Sequence, residues 1–302
     1  MSNVQCPTCE KQTPIPSLRA AGRSVAISCV LSVFFLLFPL LSSAGAGTKW
    51  NALPDYLNGG IVIYGDTRSG HSTHRDLVQG ITHVKPAAVF HTGDLVANGN
   101  REDEWKVFSD ITSGLRSTTA FYPALGNHEK ESPLFFDRFG LPDNKGWYSV
   151  DVDGIHFIVL DTNVDLSPGS DQHRWLIGDL EGSSGSGGTI IAVFHHPPYN
   201  IGSHRRSGEK LRRILVPLFR TYGVGAVFSG HDHNYQRFEV GGIPYVVTGG
   251  GGAPLYSCHA ESPLNRVFVK AYHFCVLYRR DGQLRVAVID DKAGIIDRFV
   301  ID

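Results

Sequence analysis

The sequence predicts an α/β fold, and three features support that prediction. Short hydrophobic runs typical of buried strands recur from residue 61 onward, and in the first half turn residues and then helical periodicity follow them. Residues 242–302 alternate in the manner of antiparallel strands, with turn signals at positions 281–282 and 292–294. We find no internal repeat and no linker. We therefore expect residues 47–302 to form one domain.

Strands and helices are expected to alternate in the first half of this domain. Residues 61–68 (IVIYGDTR) predict a buried strand that runs into a loop, and residues 73–84 predict an amphipathic helix after it. Residues 87–96 (AAVFHTGDLV) repeat the strand before the helix-like EDEWKVFSDI, and residues 121–129 (FYPALGNHE) repeat it once more. The order predicts three strands with similar polar ends.

The second half begins with a predicted hairpin, because residues 146–162 alternate around a central Asp-Gly pair. Residues 172–182 have helical spacing, and the SSGSGG run after them predicts a flexible loop. Two further strands are predicted at residues 189–200 (TIIAVFHHPPYN) and 225–237 (GAVFSGHDHNYQR). Both of them end in polar clusters.

The first 46 residues differ in character from the rest. Residues 1–23 carry three basic side chains against one acid, and the eighteen residues 24–41 are almost wholly apolar. Residues 44–46 (AGA) fit a cleavage site, so we expect an export signal. A membrane anchor is the alternative, because eighteen apolar residues approach the minimum for a span. In either case residues 47–302 are predicted to lie outside the cytoplasm, in the periplasm or secreted.

Composition excludes several classes of protein. The 302 residues are 42% hydrophobic and 19% charged, with 28 basic and 29 acidic side chains. This composition and charge balance exclude a disordered chain, a collagen-like repeat and a strongly basic nucleic-acid binder. Without the leader's three basic residues and one acidic residue, 25 basic and 28 acidic side chains remain, a net charge near −3. We therefore expect no extended nucleic-acid binding.

Five predicted strands each end in Asp, Asn or His. In open α/β sheets the loops at the carboxyl ends of the strands build the functional site, so these side chains are expected to converge. The predicted metal-binding set is Asp66, Asp94, Asn127, His195, His231 and His233. Oxygen and imidazole ligands suit Mn, Fe or Zn, and six ligands are too many for one tetrahedral zinc. Two divalent ions that hold a bridging hydroxide form an arrangement suited to phosphoester hydrolysis.

The blocks GDTR, GDLVANG, GNHE, FHHPPYN and GHDHNYQR, in this order, resemble the calcineurin-like metallophosphoesterase superfamily. Its purple acid phosphatase-like branch is the most similar, and the resemblance covers about residues 60–255. It implies a four-layer fold of two β-sheets flanked by helices, with the two metals at one edge. Residues 47–302 would then be the catalytic domain.

The resemblance also implies a role for each predicted ligand. Asp66 and His233 would bind the first metal, and Asp94 would bridge the two metals. The second metal would be bound by Asn127, His195 and His231. Of the adjacent histidines, His195 matches the motif because it stands two residues before Pro197, whereas His196 is expected to pack or to support the ligands.

Three further residues are candidate catalytic groups. His128 and His204 match positions that, in the calcineurin-like superfamily, contact phosphate or protonate the leaving group. Arg68 stands where many members have a metal-binding histidine, so it cannot coordinate. As a bidentate donor it would clamp phosphate, and a salt bridge to Glu129 or another acid is the alternative.

The first metal site is predicted to be depleted. Ala97 stands where purple acid phosphatases have a tyrosine ligand, and it offers no ligand atom. His71, His74 or water are the candidates to complete that site. His91, inside a predicted strand, is expected to be a core histidine.

The sequence thus predicts a metal-dependent phosphoester hydrolase that acts on a phosphorylated small molecule or peptide, with phosphomonoesters favoured. A phosphodiesterase or nuclease of the same fold and a non-catalytic metal-binding relative are the alternatives. Cys258 and Cys275 are the cysteines left after cleavage, and whether they pair stays open.

Overall fold

The structure is a computed structural model that describes residues 48–129, 132–141, 145–185 and 187–301. The predicted export signal or membrane anchor at residues 1–46 lies outside the described residues. Among the residues that are described, no helix is long and apolar enough to cross a membrane.

The described residues form five α-helices and thirteen strands. The helices are α1 (His71–His83), α2 (Glu102–Arg116), α3 (Pro133–Phe139), α4 (Asp171–Ser183) and α5 (Glu209–Thr221). The strands are β1 (Ile61–Tyr64), β2 (Ala88–His91), β3 (Ala120–Pro123), β4 (Tyr148–Val152), β5 (Ile155–Val159), β6 (Thr189–Phe194), β7 (Val224–Ser229), β8 (Tyr235–Val240), β9 (Ile243–Thr248), β10 (Asn265–Val269), β11 (His273–Arg280), β12 (Gln283–Asp290) and β13 (Ile295–Ile301). Two short 3-10 turns, Lys49–Ala52 and Asp55–Leu57, precede β1.

The strands belong to two mixed sheets. Across the described residues, one sheet has the order β13-β12-β11-β1-β2-β3 and the other the order β10-β8-β9-β7-β6-β5-β4. Strands β1, β2 and β3 are parallel, as are β5, β6, β7 and β9. The predicted hairpin is confirmed as β4 and β5, and its turn residues Asp153 and Gly154 both have positive φ. Such a turn matches the twist of the strands.

Hydrophobic residues fill the space between the sheets and cover both outer faces. Phe90 of β2 stacks on Phe157 of β5 with ring centroids 4.0 Å apart, which places the central core between the two sheets. Helices α1 and α2 pack Leu77 and Leu115 on the outer face of the first sheet, and α4 and α5 cover the second sheet. The predicted α/β class and the four-layer arrangement are confirmed.

The two cysteines of the described region do not pair. Cys275 is buried in β11, Cys258 is exposed, and both are free thiols. Burial raises the pKa of the Cys275 thiol to about 12, so it behaves as a small core residue. The pairing that the sequence left open is not formed.

Candidate metal centre

Three of the predicted ligands lie in strained loops directly after strands. Asp66, Asp94 and His231 have φ of 62°, 57° and 69°, in the left-handed region that non-glycine residues seldom adopt. Each such conformation costs about 1–3 kcal/mol and persists where its surroundings enforce it. These loops follow β1, β2 and β7, so parallel strands of both sheets bring their ends to one place.

Glycines permit the close approach of these loops. A Cβ at Gly126 would collide with the backbone nitrogen and Oδ1 of Asp94. A Cβ at Gly230 would collide with Oδ2 of Asp66. The glycine in each of these motif blocks is therefore explained by the space that the neighbouring carboxylate needs.

Asp66, Asp94 and His233 form one candidate ligand group, with one ligand atom of each residue within 4.8 Å of the others. His233 donates from Nδ1 to the carbonyl of Pro254 at 2.8 Å, and its Nε2 lies 3.5 Å from Oδ1 of Asp66. Burial and then the Asp94 charge raise the pKa of Asp66 well above its usual range. Two buried carboxylates this close favour a cation between them.

His195 is the centre of the second candidate group. Its Nδ1 donates to the carbonyl of Thr92 at 2.9 Å, which leaves the lone pair on Nε2. That Nε2 lies 3.0 Å from Oδ1 of Asn127, 3.1 Å from Nδ1 of His231 and 3.5 Å from Oδ1 of Asp94.

Burial and the neighbouring imidazoles keep these rings uncharged. The pKa of His195 is well below its usual range, and the pKa of His231 falls to about 2. The lone pair on Nε2 of His195 therefore faces the amide oxygen of Asn127 across 3.0 Å. Such a set of acceptors suits a divalent metal ion.

His196 also lies at this centre. One ligand atom from each of His195, His196 and His231 falls within 4.8 Å of the others. The backbone N–H of His196 donates to Oγ1 of Thr162 at 3.1 Å, and the hydroxyl of Thr162 lies 2.8 Å from Nδ1. The same hydroxyl can donate to that nitrogen, so Thr162 fixes the ring. Whether His196 packs and supports the ligands, as expected, or binds metal itself stays a prediction.

The three candidate catalytic residues surround the same centre. His128 donates its backbone N–H to Oδ1 of Asp94 at 3.1 Å, and its Nδ1 lies 2.8 Å from the carbonyl oxygen of Ala97. The ring of His204 lies 4.2 Å from that of His231, with 38% of its side chain exposed. The structure thus brings both histidines to the rim of the candidate centre.

Arg68 pairs with a predicted ligand. Its Nε lies 3.6 Å from Oδ2 of Asp94, so the salt bridge that the sequence allowed to Glu129 or another acid is formed with Asp94. Glu129 accepts the backbone N–H groups of Asp94, Val96 and Gly126 instead. Burial and then Asp94 raise the pKa of Glu129 to about 8.

His71 and His74 belong to neither ligand group among the described residues. His71 is exposed at the start of α1. Nε2 of His74 lies 3.2 Å from the hydroxyl of Tyr64, and burial lowers the pKa of its ring to about 3. His91 is buried, as predicted, with Nε2 3.2 Å from Oγ1 of Thr67.

Sequence reasoning missed two buried acids, Glu129 and Asp232, that hold loops around the centre in place. Glu129 stands in the GNHE block, but its partners are backbone amides of another loop. Asp232, between His231 and His233, is fully buried, accepts the N–H of Ser203 at 3.2 Å and lies 3.6 Å from Nδ1 of His204. For Glu129 and Asp232 alike, the sequence signal was an acidic residue within a block of predicted metal ligands.

Comparison with known proteins places these features in a family. Residues 60–235 match the family model of calcineurin-like phosphoesterases. The chain is 32% identical over 181 residues to purple acid phosphatase 18 of Arabidopsis thaliana, covering 54% of this chain and 40% of the relative. To purple acid phosphatase 15 of the same plant it is 25% identical over 258 residues, covering 70% and 48%. The chain thus spans half or less of these relatives.

A solved structure has the same fold. The purple acid phosphatase PPD1 from yellow lupin (Lupinus luteus) seeds aligns with a TM-score of 0.66 at 21% identity. The alignment covers 80% of this chain and 53% of the lupin chain.

Proposed function

We propose that the chain hydrolyses phosphoesters with the help of two divalent metal ions. The premise is that it belongs to the calcineurin-like phosphoesterase family and to its purple acid phosphatase-like branch. The observation that carries the proposal is the meeting of unprotonated imidazoles, an amide oxygen and two carboxylates at the strand ends.

Asp94 is the residue suited to bind both ions. It lies in one group with Asp66 and His233, and its Oδ1 is 3.5 Å from Nε2 of His195 in the other group. Asn127 and His231 would complete the second site. When bound, a pair of ions supplies the hydroxide nucleophile and neutralises charge on the phosphoryl group. Mn, Fe and Zn fit this mixture of oxygen and imidazole ligands.

The remaining polar groups would bind the substrate and handle its proton. Arg68 directs a guanidinium towards Asp94, where it would hold a phosphate oxygen. His128, beside Asn127, would hold another. His204 has the exposed ring next to His231, so it would protonate the departing alcohol.

Phosphomonoesters are the proposed substrates, and residues 47–302 the proposed catalytic domain. The export-signal pattern of the first 46 residues supports a location outside the cytoplasm, in the periplasm or secreted. A phosphodiesterase of this fold would use the same centre, and an assay with both kinds of ester distinguishes the two activities.

The experiment is a comparison of a chromogenic monoester with a chromogenic diester, using the purified full chain. Turnover should disappear after chelation and return when Mn, Fe or Zn is added, with the monoester preferred. A faster reaction with the diester would assign a phosphodiesterase. Turnover that survives complete chelation would contradict the proposal.

A further inference from the structure

A cavity of about 470 Å³ lies directly beside the candidate metal centre. The side chain of His196 borders both the cavity and the candidate metal centre. Its ring lies 4.4 Å from that of His231 and 4.9 Å from that of His195, and the same side chain lines the cavity. A molecule whose phosphoryl group sat at the centre could therefore extend past His196 into this space.

Two chain segments build the walls of the cavity. The loop after β5 contributes Val164 and Leu166, and α5 contributes Leu211 and Ile214. Leu166 and Leu211 are buried in the hydrophobic cluster beneath, whereas Val164 and Ile214 are half-buried and face the space. The polar lining residues are Thr162, Asn163, Asp165, His196, Ser207 and Lys210. The lining thus combines an aliphatic wall with polar surface of similar extent.

The charges at the rim balance each other. Nζ of Lys210 lies 3.2 Å from Oδ1 of Asp165, and both residues line the cavity. One acid and one base give no surplus positive charge for a second phosphate. Exposed Arg205 and Arg206 line a different cavity, formed by residues 203–207.

We propose that this cavity binds the alcohol portion of the substrate and selects phosphomonoesters whose alcohol is uncharged and carries a compact apolar group, such as a phenyl ring. The inference rests on the proposed function, because it requires the phosphoryl group at the metal centre. Removing apolar surface from water on the aliphatic wall would provide the selectivity.

The test measures binding rather than turnover, using phosphonates that cannot be hydrolysed. Calorimetry on the metal-loaded full chain would compare phenylphosphonate with methylphosphonate. We expect phenylphosphonate to bind at least about tenfold more tightly. Ile214→Gln should reduce that ratio to about twofold or less and leave the affinity for methylphosphonate unchanged. Val164→Gln, in the loop after β5, should have the same effect if Ile214→Gln does not fold.

Val216→Gln is the matched control. Val216 lies on the same helix, is likewise half-buried in the same hydrophobic cluster, and lines another cavity. It should leave the ratio unchanged. Equal binding of the two phosphonates to the wild-type protein would overturn the proposal. Tighter binding of methylenediphosphonate than of phenylphosphonate would also overturn the proposal if Arg205→Gln abolished it. The selected group would then be a second phosphate.

A parallel assay with phenyl phosphate separates this proposal from the proposed function. Hydrolysis of phenyl phosphate together with equal phosphonate affinities would refute the alcohol site and leave the enzyme assignment intact. A tenfold binding preference without any hydrolysis would refute the enzyme assignment and leave the binding site intact.

Discussion

Nε2 of His195 lies 3.0 Å from Oδ1 of Asn127, and neither atom carries a proton. The carbonyl of Thr92 holds the histidine proton on the opposite nitrogen, at 2.9 Å. Two acceptors at this distance repel each other unless a cation lies between them. The fold therefore places this pair in the arrangement that a metal ion requires, in the loops that follow β6 and β3.

Asn127→Leu should separate metal binding from folding. Leucine removes the amide oxygen with little change of size, so it relieves the contact between acceptors. We expect the free energy of unfolding of the metal-free protein to change by no more than about 0.5 kcal/mol. Metal affinity should fall by about tenfold or more, because a ligand is lost. Denaturant unfolding and equilibrium dialysis measure the two quantities. Unchanged metal affinity would show that Asn127 is not a ligand.

The two metal sites should differ in affinity. The first has Asp66, Asp94 and His233, with Arg68 close by at 3.6 Å from Asp94, and Ala97 provides no ligand. A positive charge and a missing ligand both weaken cation binding. Stepwise chelation should therefore remove one ion well before the other. Metal analysis at each step checks this, and the simultaneous loss of two ions would be the opposite result.

Much of the candidate centre could be predicted from the sequence because its residues follow strands directly. A buried strand fixes the first residues of its loop, so Asp66, Asp94 and His231 could be assigned to one site. Local patterns also predicted strand β1, from its hydrophobic run, and the hairpin of β4 and β5, from alternation around an Asp-Gly pair.

Contacts between distant segments could not be predicted in this way. Strand β1 pairs with β11, with Ile61 opposite Leu277, and no local pattern indicates that pairing. The Arg68–Asp94 ion pair depends on how entire loops pack against one another, and so does the position of His196 beside the cavity. Side-chain type and spacing alone do not determine either.

A second cluster should make stability depend on pH. Nδ1 of His156 lies 2.7 Å from Oδ1 of Asp151, and its Nε2 lies 3.0 Å from Oδ2 of Asp179. Burial lowers the pKa of His156, but the two carboxylates outweigh burial and leave that pKa raised. A raised histidine pKa stabilises the fold below the unfolded value, about 6.5, and the contribution is lost as pH rises through the folded value.

His156→Gln should accordingly destabilise the protein at about pH 5 and have little effect at about pH 9. Because the carboxylate of Asp151 is exposed, solvent screening should limit the difference to about 1 kcal/mol. Unfolding midpoints across that range would measure it, with His83→Gln on α1 as the control. A difference that grows with rising pH would contradict this assignment.

The most direct test of the metal-centre account is the metal content and turnover of Asp94→Asn. Asparagine keeps the shape of the side chain but removes the charge that would bind both ions, and Asp110→Asn on the exposed face of α2 serves as the control. We predict a folded protein that has lost bound metal and about a thousandfold in phosphomonoester turnover, while the control keeps both. Turnover near that of the wild-type protein, with unchanged metal content, would contradict the account.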